Sequence, residues 1–123
     1  MSDDELDDLV DRWHDLAALD RHSLTAVFGS DSIALLRSIV QSVLGQPVFL
    51  EPQDAGQFSD FVLQLRDSER EWSRKLGDSI VRAAHLSEEG EKTDAAKHLA
   101  DFICSCPWRT FRGFAGIEQE EYL

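Results

Sequence analysis

Apolar residues recur along this chain at helical spacing, separated by residues that start and stop helices. Leu6, Leu9, Val10, Trp13, Leu16 and Ala17 fall on one face at about 100° per residue, and Asp4, Asp8, Asp11 and Asp15 fall on the opposite face. Ser2 followed by Glu5 has the form of a capping box, and acids in a first turn suit the positive end of the helix dipole. An amphipathic helix over residues 3–20 is predicted. Residues 21–30 carry Leu24, Val27 and Phe28 and close on Gly29-Ser30, which reads as a short helix or turn. A third run, Ile33, Leu36, Ile39, Val40, Val43 and Leu44, is widened by Leu35 and predicts the most buried helix. Ser30 or Asp31 can cap it, Gly45 ends it and Pro47 prevents its continuation. Val48-Phe49-Leu50, between Pro47 and Pro52, has no second extended run to pair with and reads as a packed loop.

From Asp54 a longer pattern begins. Phe58, Phe61, Val62, Leu65, Trp72, Leu76, Ile80 and Ala83 hold one face, and Gly77 inside the run could mark a bend. Ser87-Glu88-Glu89-Gly90-Glu91 is the clearest loop. A further helix turns Ala95, Ala96, Leu99, Phe102, Ile103 and Cys106 inward, and Pro107 breaks it. Proline also suits a first turn, so a last helix is expected to carry Trp108, Phe111, Phe114 and Ala115 toward Tyr122. Short connections between such helices imply an all-α fold, an antiparallel bundle of about five helices in one domain over residues 1–123.

Charge changes this picture from architecture to partners. Of 123 residues, 24 are Asp or Glu against 12 Lys or Arg, a net charge of −12. Such a field repels nucleic acid phosphates and anionic lipid, and the basic residues are scattered, so neither nucleic acid nor membrane is an expected partner. A basic protein would be attracted and its encounter accelerated. No apolar run approaches the roughly 20 residues that span a bilayer, and Met1-Ser2-Asp3-Asp4-Glu5 lacks the features of a signal peptide. The expectation is a cytoplasmic protein.

Chemistry-bearing patterns are few. Cys104 and Cys106 are two apart, too close for a ready disulfide and without the second cluster a zinc site needs. On a helix Cys106 projects to the apolar face and Cys104 to the polar side, so both read as ordinary helix cysteines. His14, His22, His85 and His98 include no pair three or four apart, and His14, His85 and His98 map to polar faces. The carboxylates lie in solvated helical stripes, and phosphate loops, nucleophile elbows and dinucleotide loops are missing from the sequence. The expectation is a protein that is not an enzyme and uses no cofactor and no metal.

The most distinctive stretch is Phe102 to Arg112, where a helix break, a Trp and two Arg residues are concentrated. As structure it reads as a tight helix–helix corner with Trp108 and Phe111 as core plugs; as function, Trp and Arg together suit a recognition corner. The run Cys106-Pro107-Trp108, then Phe111-Arg112, Ala115 and Gln119, resembles the C-terminal end of small bacterial immunity proteins of contact-dependent growth-inhibition and related polymorphic toxin systems. The resemblance covers about 20 residues, together with general size and acidity. It implies a cytoplasmic inhibitor that binds one cognate toxin and carries no catalytic residues. The runner-up class is a small acidic chaperone or adaptor for a secreted effector.

Two acidic stripes are candidates for the partner surface. One is Asp4, Asp8, Asp11 and Asp15; the other is Asp60, Asp67, Glu71 and Asp78 on the long helix. The long helix is the favoured partner-binding surface, because its acids alternate with Arg70 and Arg74 and a patterned surface suits specificity. The expected site is therefore Asp60, Asp67, Glu71, Asp78 and Arg74, facing a toxin with a basic active-site surface. The sequence carries no indication of oligomeric state.

Overall fold

A computed structural model describes residues 2–123. The chain is all-α, with six α-helices and no strand among the described residues. They are α1 (Asp3–Ala17), α2 (Arg21–Val27), α3 (Ser30–Ser38), α4 (Ala55–Glu88), α5 (Lys92–Ser105) and α6 (Arg109–Glu120); α3 continues directly into a π-helical turn over Ile39–Val43. The helix over 21–27 is the sixth, where the sequence left helix or turn open. Contacts divide the chain into two compact units, one ending at Ser68 and one beginning at Glu69.

In the first unit, local chemistry sets each boundary. The Ser2 hydroxyl accepts from the Glu5 backbone N–H at 3.2 Å, as the capping pattern predicts. Asp20 caps α2, its carboxylate accepting from Ser23 N–H at 2.8 Å, and this hydrogen bond holds its carboxyl below the usual carboxylate range. The cap of α3 is Gly29, not Ser30 or Asp31. Ser32 takes over the capping work, accepting from Gly29 N–H at 3.0 Å and lying 2.9 Å from the Val27 carbonyl. After the π turn the chain leaves through Gly45 at φ +64°, a left-handed position that favours glycine, with Gln46 N–H bonded to the Val40 carbonyl at 3.0 Å.

The core of this unit contains Leu9, Leu16, Leu24, Leu36, Ile39, Val40, Val43, Phe58 and Val62, with α1 packed against α3 and the π turn. Phe28 stacks on Phe58 at 5.6 Å between ring centroids. Ser59 is a buried polar residue whose hydroxyl meets that of Thr25 at 3.2 Å; Thr25 in turn donates to the Arg21 carbonyl at 2.9 Å. Burying a hydroxyl is tolerated when it keeps a hydrogen bond. The Pro47–Pro52 segment is only half a packed loop. Phe49 packs edge-on against Phe61 and lies under Arg37, which reaches Glu51 at 3.3 Å. Val48 and Leu50 alternate outward and are 69% and 80% exposed.

The second unit is built from the C-terminal part of α4 with α5 and α6. The α4 helix runs through Gly77 without interruption, and through Ser87 to Glu88, further than the loop expected there. Gly90 closes it at φ +84°, with Glu91 N–H bonded to the Leu86 carbonyl at 2.8 Å. Ala83, Leu86, Ala95 and Leu99 form the buried cluster, with Ile80 and Tyr122 packed against it. Gln119 ties α6 to α5 by donating to the Ala96 carbonyl at 3.1 Å.

Candidate functional site

The corner between α5 and α6 is a structural joint. Cys106 is buried and Trp108 is fully buried, while Cys104 is exposed, as helical projection predicts. Cys106 N–H bonds to the Phe102 carbonyl at 2.9 Å, and its thiol lies 3.7 Å from the Trp108 carbonyl. Burial pushes the Cys106 thiol up, so it stays protonated and a poor nucleophile. Trp108 and Phe111 rings meet at 6.3 Å. Pro107 precedes the last helix instead of opening it, because Trp108 holds the capping position. Phe114 is 58% exposed: α6 is anchored through Trp108 and Ala115, which turns Phe114 outward.

The five predicted partner-binding residues are all exposed positions of α4. Asp60 and Asp67 belong to the first unit. Asp60 is held by Arg21 at 2.7 Å, and Asp67 lies 3.9 Å from Arg66 Nε. That Arg66 nitrogen is buried and makes no hydrogen bond with another described residue, since 3.9 Å is too long for one. Glu71, Arg74 and Asp78 belong to the second unit. Glu71 pairs with Lys75 at 3.3 Å, one helical turn on. Exposed pairs of this kind add little stability but do offset the negative field of the stripe. On α1 the outcome differs: Asp4, Asp8, Asp11 and Asp15 are exposed, and no ion pair with a described residue offsets them.

Asp78 leads to a feature that the sequence pattern did not single out. A groove of about 440 Å³ lies between α4 and α5 within the second unit. Trp72 and Phe102 meet edge-to-face at 5.8 Å in its lining, and Lys75 Nζ lies 4.3 Å from the Trp72 ring centroid. Asp78, Arg82, His98 and Asp101 also line it. Trp72 was legible only as one apolar position in a long stripe; its placement at the edge of that stripe, four residues from Leu76, is the signal that it is half-buried and available. Ser105, at the end of the groove, spends its hydroxyl on the Asp101 carbonyl at 3.0 Å. No hydrogen bond or ion pair joins His98 to another described residue of the groove. What the arrangement offers is an apolar floor with charges of both signs around it, suited to holding a side chain of a partner.

Among the described residues no group of three or more His, Cys, Asp or Glu could hold a metal ion, and no single helix is long and apolar enough to cross a membrane. The chain matches no protein-family model, no curated protein and no solved structure.

Proposed function

We propose that this protein is an immunity protein, which binds a cognate bacterial toxin domain in the cytoplasm and neutralises it. The observation that carries the reading is the uncompensated acid of α1: four carboxylates on one exposed face, opposite the stripe that packs, in a chain of net charge −12. Acids on that face contribute nothing to core packing, and like charges held together cost self-repulsion. They suit a basic surface on the partner, such as the nucleic-acid-binding site of a nuclease toxin, and they raise the rate of encounter. The long-helix acids Asp60, Asp67, Glu71 and Asp78, with Arg74, remain contact candidates, now as a patterned rim in which ion pairs already offset part of the charge.

The reading is tested on the gene immediately upstream. It predicts a large secreted protein there whose variable C-terminal domain kills a cell when expressed alone and is harmless when this chain is co-expressed. Asp8→Lys with Asp11→Lys should slow association with that domain at low salt and weaken protection, with melting almost unchanged. Asp67→Lys with Glu71→Lys should do so to a smaller degree. Killing that continues unabated in the presence of the wild-type chain would defeat the proposal. Protection with association rates unmoved by either pair would remove its electrostatic part.

A further inference from the structure

The outward face of α6 is unlike any other exposed face of the chain. Read from its N-terminal end it runs basic, apolar, acidic: Arg109 and Thr110, then Gly113, Phe114 and Ile117, then Glu120 and Glu121. Phe114 is 58% exposed and Ile117 is 63% exposed, side by side three residues apart. Two further features work against the helix itself. Its first turn has no acid and its last turn no base, and Arg109 and Glu120 stand at the ends where the dipole disfavours them. Gly113 lies mid-helix although a Cβ there would meet nothing within 4 Å, so nothing inside the molecule requires glycine.

We infer that this face is the contact surface for α6 of a second copy of the chain, packed antiparallel about a two-fold axis near Ala115. The charge order is the argument. A helix that runs basic to acidic is the complement of itself reversed. In that arrangement Arg109 of one copy faces Glu120 of the other, and Thr110 faces Glu121. Ile117 lands over Gly113, where the missing side chain leaves room for it, and the two Phe114 rings meet beside the axis. Each contact between unlike residues occurs twice and the Phe114 pair meets once, as an isologous interface requires. The reversed end charges, unfavourable within one helix, become favourable across the pair. A heterologous partner would have to supply the same order of base, groove and acid independently. One helix face is a small interface, so the pair is a weak and reversible one. This inference stands apart from the toxin reading and can fail without it.

Sedimentation equilibrium of the full chain at about 0.15 M salt, where charges more than about 8 Å apart are largely screened, tests it. The expected result is a monomer–dimer equilibrium with a dissociation constant between about 10 μM and 1 mM. Ile117→Asp should weaken it at least about tenfold, as burial of an unpaired charge at an interface does. Gly113→Leu should raise the melting temperature, because leucine is the better helix former, yet weaken the dimer; a merely structural glycine would not separate the two readouts. Arg109→Glu and Glu120→Arg should each weaken association, and the two together should restore it to within about threefold of the parent. Circular dichroism melts establish that each variant is folded. A chain that stays monomeric up to about 1 mM overturns the inference. So does a dimer indifferent to Ile117→Asp, or a charge-swapped double variant no better than its single parents.

Discussion

Helices α1 and α6 are both strongly amphipathic, yet they treat the surface in opposite ways. In α1 the cap and the first turn favour the helix. Ser2 caps it, Asp3, Asp4 and Glu5 stand at its positive end, His14 stands at its negative end, and its outward face is acid. In α6 the cap position is taken by a buried Trp, the end charges are reversed, two glycines interrupt the interior and the outward face is aromatic and aliphatic. A sequence that breaks local rules in one place while keeping them in another of similar length marks where something besides folding has shaped it. On α1 the charge costs some self-repulsion but no core packing, and it is available for use. On α6 the helix is held by its buried side, and its outer side is free to be costly.

The largest test of that contrast is Trp108→Ala. If the buried side holds α6 in place, removing a fully buried Trp should destabilise the chain by about 3–5 kcal/mol, read as a lowered thermal or urea midpoint. A variant that melts like the parent would mean that α6 is anchored elsewhere. Next come two changes of similar size and opposite sign. Ser2→Ala should cost about 1 kcal/mol by removing the cap of α1. Gly116→Ala in α6, where a Cβ meets nothing within 4 Å, should gain up to about 1 kcal/mol from helix propensity. Equal signs in the two melts would erase the distinction between a helix optimised for folding and one that is not. The smallest effect concerns Asp20. Its carboxyl is held below the ordinary range by the Ser23 amide, so its contribution is present at neutral pH and is lost as pH falls below about 4, through the lowered folded value. Asp20→Asn keeps a capping oxygen but cannot titrate, so the acid limb of its stability curve should be shallower than that of the parent.

The fold was largely legible because periodicity reports helices directly. Long stripes such as Leu9-Trp13-Leu16 and Phe58-Val62 admit one face only, and those residues are buried. Legibility failed where apolar residues point in more than one direction. In α6, Ile117, Phe114, Phe111 and Ala115 cover an arc of about 160°, and periodicity alone cannot choose which end of that arc packs. Val48, Phe49 and Leu50 read together as a packed loop, but Phe49 alone takes the packed position and an extended chain sends its neighbours the other way. Gly29 displaced Ser30 as cap because Ser32 supplies the hydrogen bond from inside the helix, an arrangement with no signature in the flanking residues. Of the candidate site, the acidic stripes were readable as helical faces. The groove beside Trp72 was not, since it depends on how α5 lies against α4, a long-range fact that the spacing along one helix does not contain.

The π turn at Ile39–Val43 gives α3 a spare residue. Leu44 N–H reaches back five residues to the Ile39 carbonyl, at 3.1 Å, where an α-helix would reach back four. Ile39, Val40 and Val43 are buried around this wider loop of chain, while Gln41 lies on its exposed side. Losing Gln41 would let the turn tighten to an ordinary one and leave the residues beyond it almost where they are. A deletion in the middle of α5 has no such slack, and would rotate everything downstream by about 100°. The chain therefore holds, at the end of α3, a tolerance to changes of length that its tightly wound helices lack.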